Sequence, residues 1–205
     1  MTPAIGYRLW YADLHDGLTR WRLQSLLAET LWPFRDRLEA VCERRLAARA
    51  HWRLRQLGVP RHLAPATECS CGAHAYHDLE AMMLQVQRLG HFRPLGDRRI
   101  LVGGAILSWG RIVIHPEGFR AQYARPLALC LVDPTAPTTA AAQVAEVAQA
   151  YAVPALELKY LAAHAREFGT SYRPAPTPSS LQRLSRAALG SLRQLWSGHP
   201  GSGGG

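Results

Sequence analysis

RILVGGAILSWGRIVIHPEGFRAQYARPLALCLV, residues 99–132, is the stretch that decides the fold. Aliphatic, β-branched and aromatic residues dominate it, as suits a pleated, half-buried surface. It predicts strands over 99–107, 109–114, 119–124 and 127–132. His115-Pro116-Glu117-Gly118 is the tightest turn among them. Gly103, Gly104 and Gly110 suggest bulges or sharp bends, as in a small sheet that curls on itself.

Towards the N-terminus, Asp78 is placed to cap a helix over 79–89 that Gly90 closes. A short extended piece is expected at 73–76. Residues 61–72 have no periodicity and read as an ordered loop. Leu38, Cys42, Leu46, Ala50 and Leu54 recur every four residues, which predicts a helix over 35–57 ended by Gly58 and Pro60. The apolar segments 4–12 and 18–26 flank Leu14-His15-Asp16-Gly17, and Asp-Gly is a hairpin signal. Trp10 and Trp21 are expected to cover the apolar face of that hairpin.

Towards the C-terminus the chain becomes rich in Thr, Ala and Pro after Pro134. Two helices follow, over 138–151 and 155–168, broken near Pro154. Residues 170–178 read as an extended Pro-rich linker. Leu181, Leu184, Ala188, Leu192 and Leu195 then mark one face of an amphipathic helix within 179–197, ahead of a Gly/Ser tail at 198–205. The expected fold class is α+β: a small curled antiparallel sheet or barrel with helices over 1–132, stabilised by a metal. A helical extension over 133–169 and the C-terminal helical appendage follow it.

Composition narrows the class. A hydrophobic fraction of 48% and a charged fraction of 19% are ordinary for a folded soluble protein of 205 residues, long enough to bury a core without staples. No apolar run approaches the roughly 20 residues of a membrane span, and Met1-Thr2-Pro3-Ala4 does not open like a signal peptide. A cytoplasmic location is therefore expected, where cysteines serve as thiols or metal ligands rather than disulfides. The net charge of +9 is concentrated: residues 35–61 carry eight Arg against Asp36, Glu39 and Glu43, and residues 166–205 carry five Arg against Glu167. Such clusters serve either a nucleic-acid surface or a solvated helix face. Lys159 is the one lysine, a bias that reflects genome composition rather than binding.

The chemistry gathers at His62-Leu63-Ala64-Pro65-Ala66-Thr67-Glu68-Cys69-Ser70-Cys71-Gly72. Two thiolates one residue apart converge on one ion if the backbone curls, and Gly72 permits the curl. Cys42 and His62 complete a Cys3His set, the closed donor set of a structural zinc. Three alternatives stay open. Cys42 sits where a buried thiol would also sit; His51, His74 and His77 compete with His62; and a Cys-x-Cys pair also suits redox chemistry. Cys130, within a strand, is expected in the core. Arg120 is expected at the surface, paired with a neighbouring strand or offered to a phosphate or carboxylate. Trp109 reads either as a core residue at a bend or as a stacking platform.

The same residues carry a resemblance. Tyr7, Arg8 and Trp10, Leu31-Trp32-Pro33, Cys42, His62, Ala64-Pro65, Cys69-x-Cys71-Gly72, Trp109-Gly110, Gly118-Phe119-Arg120-Ala121, Ala124 and Pro126 form the pattern. Over about residues 5–132 it resembles an uncharacterised bacterial protein family whose Cys-x-Cys-Gly motif continues Ile-Tyr-Ala. This chain has Ala73-His74-Ala75 there, departing at two of the three positions. The family has no settled activity, so the resemblance implies none. It does imply that Cys42, His62, Cys69 and Cys71 form one site.

There is no phosphate-binding glycine loop ending Gly-Lys-Ser/Thr, no Gly-x-Ser-x-Gly elbow, no His-Glu-x-x-His and no zinc-deaminase signature; His77-Asp78-Leu79-Glu80 does not match the last. No nucleophile is seen with its base. The leading expectation is a non-enzymatic binding or adaptor protein with a structural zinc. It would reach a protein partner through the C-terminal or the Arg-rich helix. A nucleic-acid-binding protein and a thiol-based redox enzyme or sensor are the alternatives. A membrane partner is not expected.

Overall fold

A computed structural model describes residues 2–14, 20–26, 30–42, 62–89, 99–133 and 135–172. The expected Gly/Ser tail, the helix over 179–197 and most of the expected linker lie outside them.

The framework is a hairpin of two long strands, β5 (Arg99–His115) and β6 (Gly118–Leu131), which absorb the four short strands read from the sequence. β1 (Ala4–Leu14) runs antiparallel to β5 on one side and to β2 (Trp21–Ser25) on the other, as the Asp-Gly signal predicted. Across the hairpin, β4 (Ala73–Tyr76) pairs antiparallel with β6 and touches β1 at Tyr7 and Tyr76. Strands β1, β5, β6 and β4 thereby close into a curled ring. Two short strands complete the seven-stranded sheet: β3 (Leu38–Glu39) on the edge of β6, and β7 (Thr170–Ser171) parallel to β1.

Curling needs local breaks in register. One falls between Trp109 and Ile112, where Gly110 takes a φ of +79° that disfavours any side chain. The other falls between Ala105 and Ile106, just past Gly103 and Gly104, which themselves pair in step with Cys130 and Leu129. Those two glycines serve close approach instead: a Cβ on Gly104 would meet the Ala128 carbonyl oxygen at 2.2 Å.

Both faces of β1 are buried, so its alternating residues feed two cores. Trp10 and Ala12 point into one with Trp21, Leu23, Trp32 and Phe119; Ile5, Tyr7 and Leu9 point into the other. Helix α2 (Ala140–Tyr151) seals the first through Val144, Val147, Ala148 and Tyr151. The Tyr151 hydroxyl donates to the Trp32 carbonyl at 2.9 Å and accepts from the Leu23 amide at 2.9 Å; burial pushes its pKa up to about 12. Helices α1 (Leu79–Leu89) and α3 (Leu158–Arg166) seal the second through Met82, Val86, Leu161 and Ala165. The Asp78 side chain accepts the Ala81 amide at 2.8 Å, the expected N-cap. Cys130 is buried, as expected of a core thiol.

One element differs from its sequence reading. Residues 35–42, read as the start of a helix, contain strand β3 instead. Arg35 has a φ of +53°, which no right-handed helix accommodates. The Ala40 amide donates to the Gln122 carbonyl at 2.8 Å, continuing the pairing with β6. A repeat of four is also a multiple of two, so Leu38 and Cys42 share a face in a strand as well as in a helix. The remainder of that predicted helix, 43–57, lies outside the described residues.

Candidate metal centre

Two segments meet at one side of the ring. The chain leaving β3 delivers Cys42, three residues past Glu39. The loop 62–72 delivers His62, Cys69 and Cys71, and Gly72 leads directly into β4. Cys42 thus arrives from the end of a strand, not from a helix as its sequence context suggested. Cys42 is buried and the other three are partly exposed.

The four donor atoms lie within 4.8 Å of one another. Cys42 Sγ is 3.8 Å from Cys69 Sγ, and His62 Nε2 is 3.2 Å from Cys71 Sγ. Around a tetrahedral zinc, with Zn–S near 2.3 Å and Zn–N near 2.0 Å, donor atoms sit about 3.5–3.8 Å apart. The spacing and chemistry of this Cys3His group therefore suit a metal ion. The rival histidines are engaged elsewhere. His74 Nε2 is 2.8 Å from the Ser70 carbonyl oxygen, and His77, buried against Phe119, places Nε2 2.8 Å from the His115 carbonyl oxygen. His51 lies outside the described residues.

The loop is held from below by backbone and by arginine. The Cys69 amide donates to the Ala66 carbonyl at 3.2 Å, curling the chain between the ligands. Gly72 has a φ of +127°, and a Cβ there would meet Arg120 Cβ at 2.8 Å and Pro65 Cβ at 3.0 Å. Glycine is thus required for conformation and for space. Arg120 departs from its expected surface position: it is buried, and its Nη1 donates to the carbonyls of Ala66, Cys69 and Cys71. Arg8 acts on the strand that follows. Its Nη1 donates to the His74 carbonyl, its Nη2 donates to Ser25 Oγ at 2.9 Å, and its guanidinium lies 5.0 Å from the Trp32 ring centroid. Desolvation lowers the Arg8 pKa to about 10.

Desolvation pushes Cys71 up to about 11 against a lowering hydrogen bond at Ala66, and the neighbouring thiols Cys69 and Cys42 raise it further. Burial pushes Cys130 up to about 12. Neither has the depressed pKa of a reactive cysteine. A divalent metal held by Cys42, Cys69 and Cys71 would take the place of their thiol protons.

A second cluster was not foreseen. His74, His77 and His115 gather around β4 and the end of β5, with the His115 ring centroid 6.4 Å from that of His74 and 6.5 Å from that of His77 and the planes tilted by 54° and 46°. His74 and His77 drew notice in the sequence only as rivals to His62; His115, nearly forty residues further on, had no signal that joins it to them. Trp109 is partly buried and stacks on Tyr123, with centroids 6.0 Å apart and planes 29° apart. Among family models, curated proteins and solved structures, none matches this chain.

Proposed function

We propose that this chain is a non-catalytic binding protein, an adaptor in the broad sense, whose surface is held in shape by a structural zinc on Cys42, His62, Cys69 and Cys71. The observation that carries this is the convergence of four protein donors within 4.8 Å. Four protein ligands fill a tetrahedral zinc and leave no position for substrate. Three thiol ligands favour zinc over the hard cations magnesium and calcium. The ion would tie the end of β3 to the start of β4, two segments whose mutual contact otherwise runs through β6. A reducing cytoplasm, which keeps thiols available for metal, suits this use.

Thiol labelling tests the structural role against the redox alternative. In the native zinc-loaded protein Cys42, Cys69 and Cys71 are expected to resist alkylation and to become reactive together once a chelator is added. Rapid labelling of a single cysteine in the loaded protein would favour a redox enzyme or sensor.

A specific surface favours nucleic acid as the partner over protein. Exposed Arg37 places its guanidinium 4.6 Å from the Tyr123 ring centroid, Tyr123 stacks on Trp109, and exposed Arg111 and Arg125 lie on the same two strands. Arginine beside aromatics suits stacked bases and phosphates. Glu39, in register with Tyr123, is the acidic counterweight. Affinity for a single-stranded oligonucleotide that falls steeply with salt, and that weakens in Arg37→Ala and Arg111→Ala, is expected. No binding at low salt would return the choice to a protein partner.

A further inference from the structure

Arg120 has no acidic partner among the described residues; the ion pairs formed there join Arg99 to Asp13 and Lys159 to Glu157. Its charge is felt by two histidines: His74, its register partner on β4, and His115 at the end of β5. Both are pushed towards the neutral form, by desolvation first and by the Arg120 charge among further causes. A buried cation without an anion is costly, and three peptide carbonyls offset only part of that cost.

A metal-loaded donor set would carry the opposite charge. Three thiolates, one neutral imidazole and a divalent ion sum to −1. Arg120 Nη1 is bound to the carbonyls of two of the thiolate-bearing residues, Cys69 and Cys71, the latter at 3.0 Å. We infer that Arg120 is the counter-cation of the metal centre, a positioning residue that shapes the ligand loop and stabilises the anionic complex over the protonated, metal-free thiols. This rests on the zinc site proposed above. It also separates two roles of the guanidinium, hydrogen-bond donor and charge, that conservative variants can divide.

The experiment is a competition titration of wild type, Arg120→Lys and Arg120→Gln with zinc against a chromophoric chelator, alongside cobalt titrations read at the thiolate-to-metal charge-transfer band. Arg166→Met, at an exposed arginine whose Nε donates to the Ala162 carbonyl one turn back in α3, controls for net charge. Removing an outer partner of a metal site typically costs ~10–100-fold in affinity. Gln, which donates but carries no charge, is expected to lose that much, Lys distinctly less, and Arg166→Met almost nothing. Because binding and folding are measured together in the titration, a variant that is loose without metal still yields an apparent affinity. Gln binding as tightly as Lys, or both matching wild type, would overturn the counter-cation role. A wild type that binds neither zinc nor cobalt would instead overturn the metal site itself.

Discussion

At the scale of single residues, the donor set was legible and its support was not. Cysteine and histidine are chemically distinctive, and three of the four donors fall between His62 and Cys71, so they advertise themselves in sequence. Arg120 does not, because its partners are peptide carbonyls of Ala66, Cys69 and Cys71, and every residue has a carbonyl. The histidines of β4 and β5 give a residue-level test. His115 is lowered from 6.5 by partial burial, then by Arg120 and His77, with Glu117 opposing; His74 is lowered by desolvation, with the Ser70 carbonyl opposing, and further by Arg8, Arg120 and His115. A lowered folded-state pKa means that the unfolded chain takes up protons first as the pH falls. Their contribution to stability is complete above about pH 6.5 and is lost as pH falls through the folded-state values. Thermal melts from pH 7.5 to 5 should therefore decline less steeply in His115→Gln than in the parent chain. Identical slopes would show that protonation of His115 does not oppose the fold.

At the scale of elements, periodicity served where a segment has one dominant face and failed where two periods coincide. The hairpin of β1 and β2, the strand β4, and helix α1 with its Asp78 cap were all readable. Helices α2 and α3 were readable to within three residues at each end. The segment 35–42 was not, because spacing by four cannot distinguish strand from helix over so short a run and the left-handed Arg35 has no sequence mark. Residues 170–171, read as linker, were claimed by pairing with β1, a long-range contact that local composition cannot register. The C-terminus of α2 offers a further test. Ala152 sits there at φ +54° with its amide on the Gln149 carbonyl at 3.1 Å, and the Val153 amide reaches the Ala148 carbonyl at 3.0 Å. This is the left-handed helix stop that glycine occupies at least strain. Ala152→Gly should raise stability by about 1 kcal/mol, measured by denaturant melts. A loss of stability would mean that the alanine methyl contributes packing that outweighs the backbone strain.

At the scale of the whole molecule, the curled ring of β1, β5, β6 and β4 places the two ligand-bearing segments end to end along the edge of β6 opposite β5, with β3 beside Tyr123 and Ala124 and β4 beside Gly118 to Ala121. Each contact is short, two residues for β3 and four for β4, and short edge pairings hold weakly without support. A metal bound across them would convert two weak attachments into one unit. The α+β class and the curling of the sheet followed from the strand-rich stretch 99–132 and its glycines. Ring closure did not, since the single bridge between Tyr7 and Tyr76 joins positions far apart in sequence. The most direct measurement is elemental analysis of the protein purified without a metal-affinity tag, repeated on Cys69→Ser/Cys71→Ser. One zinc per chain in the parent, and none in a variant that melts well below it, is the predicted result. A parent chain free of metal, with the variant equally stable, would contradict the account.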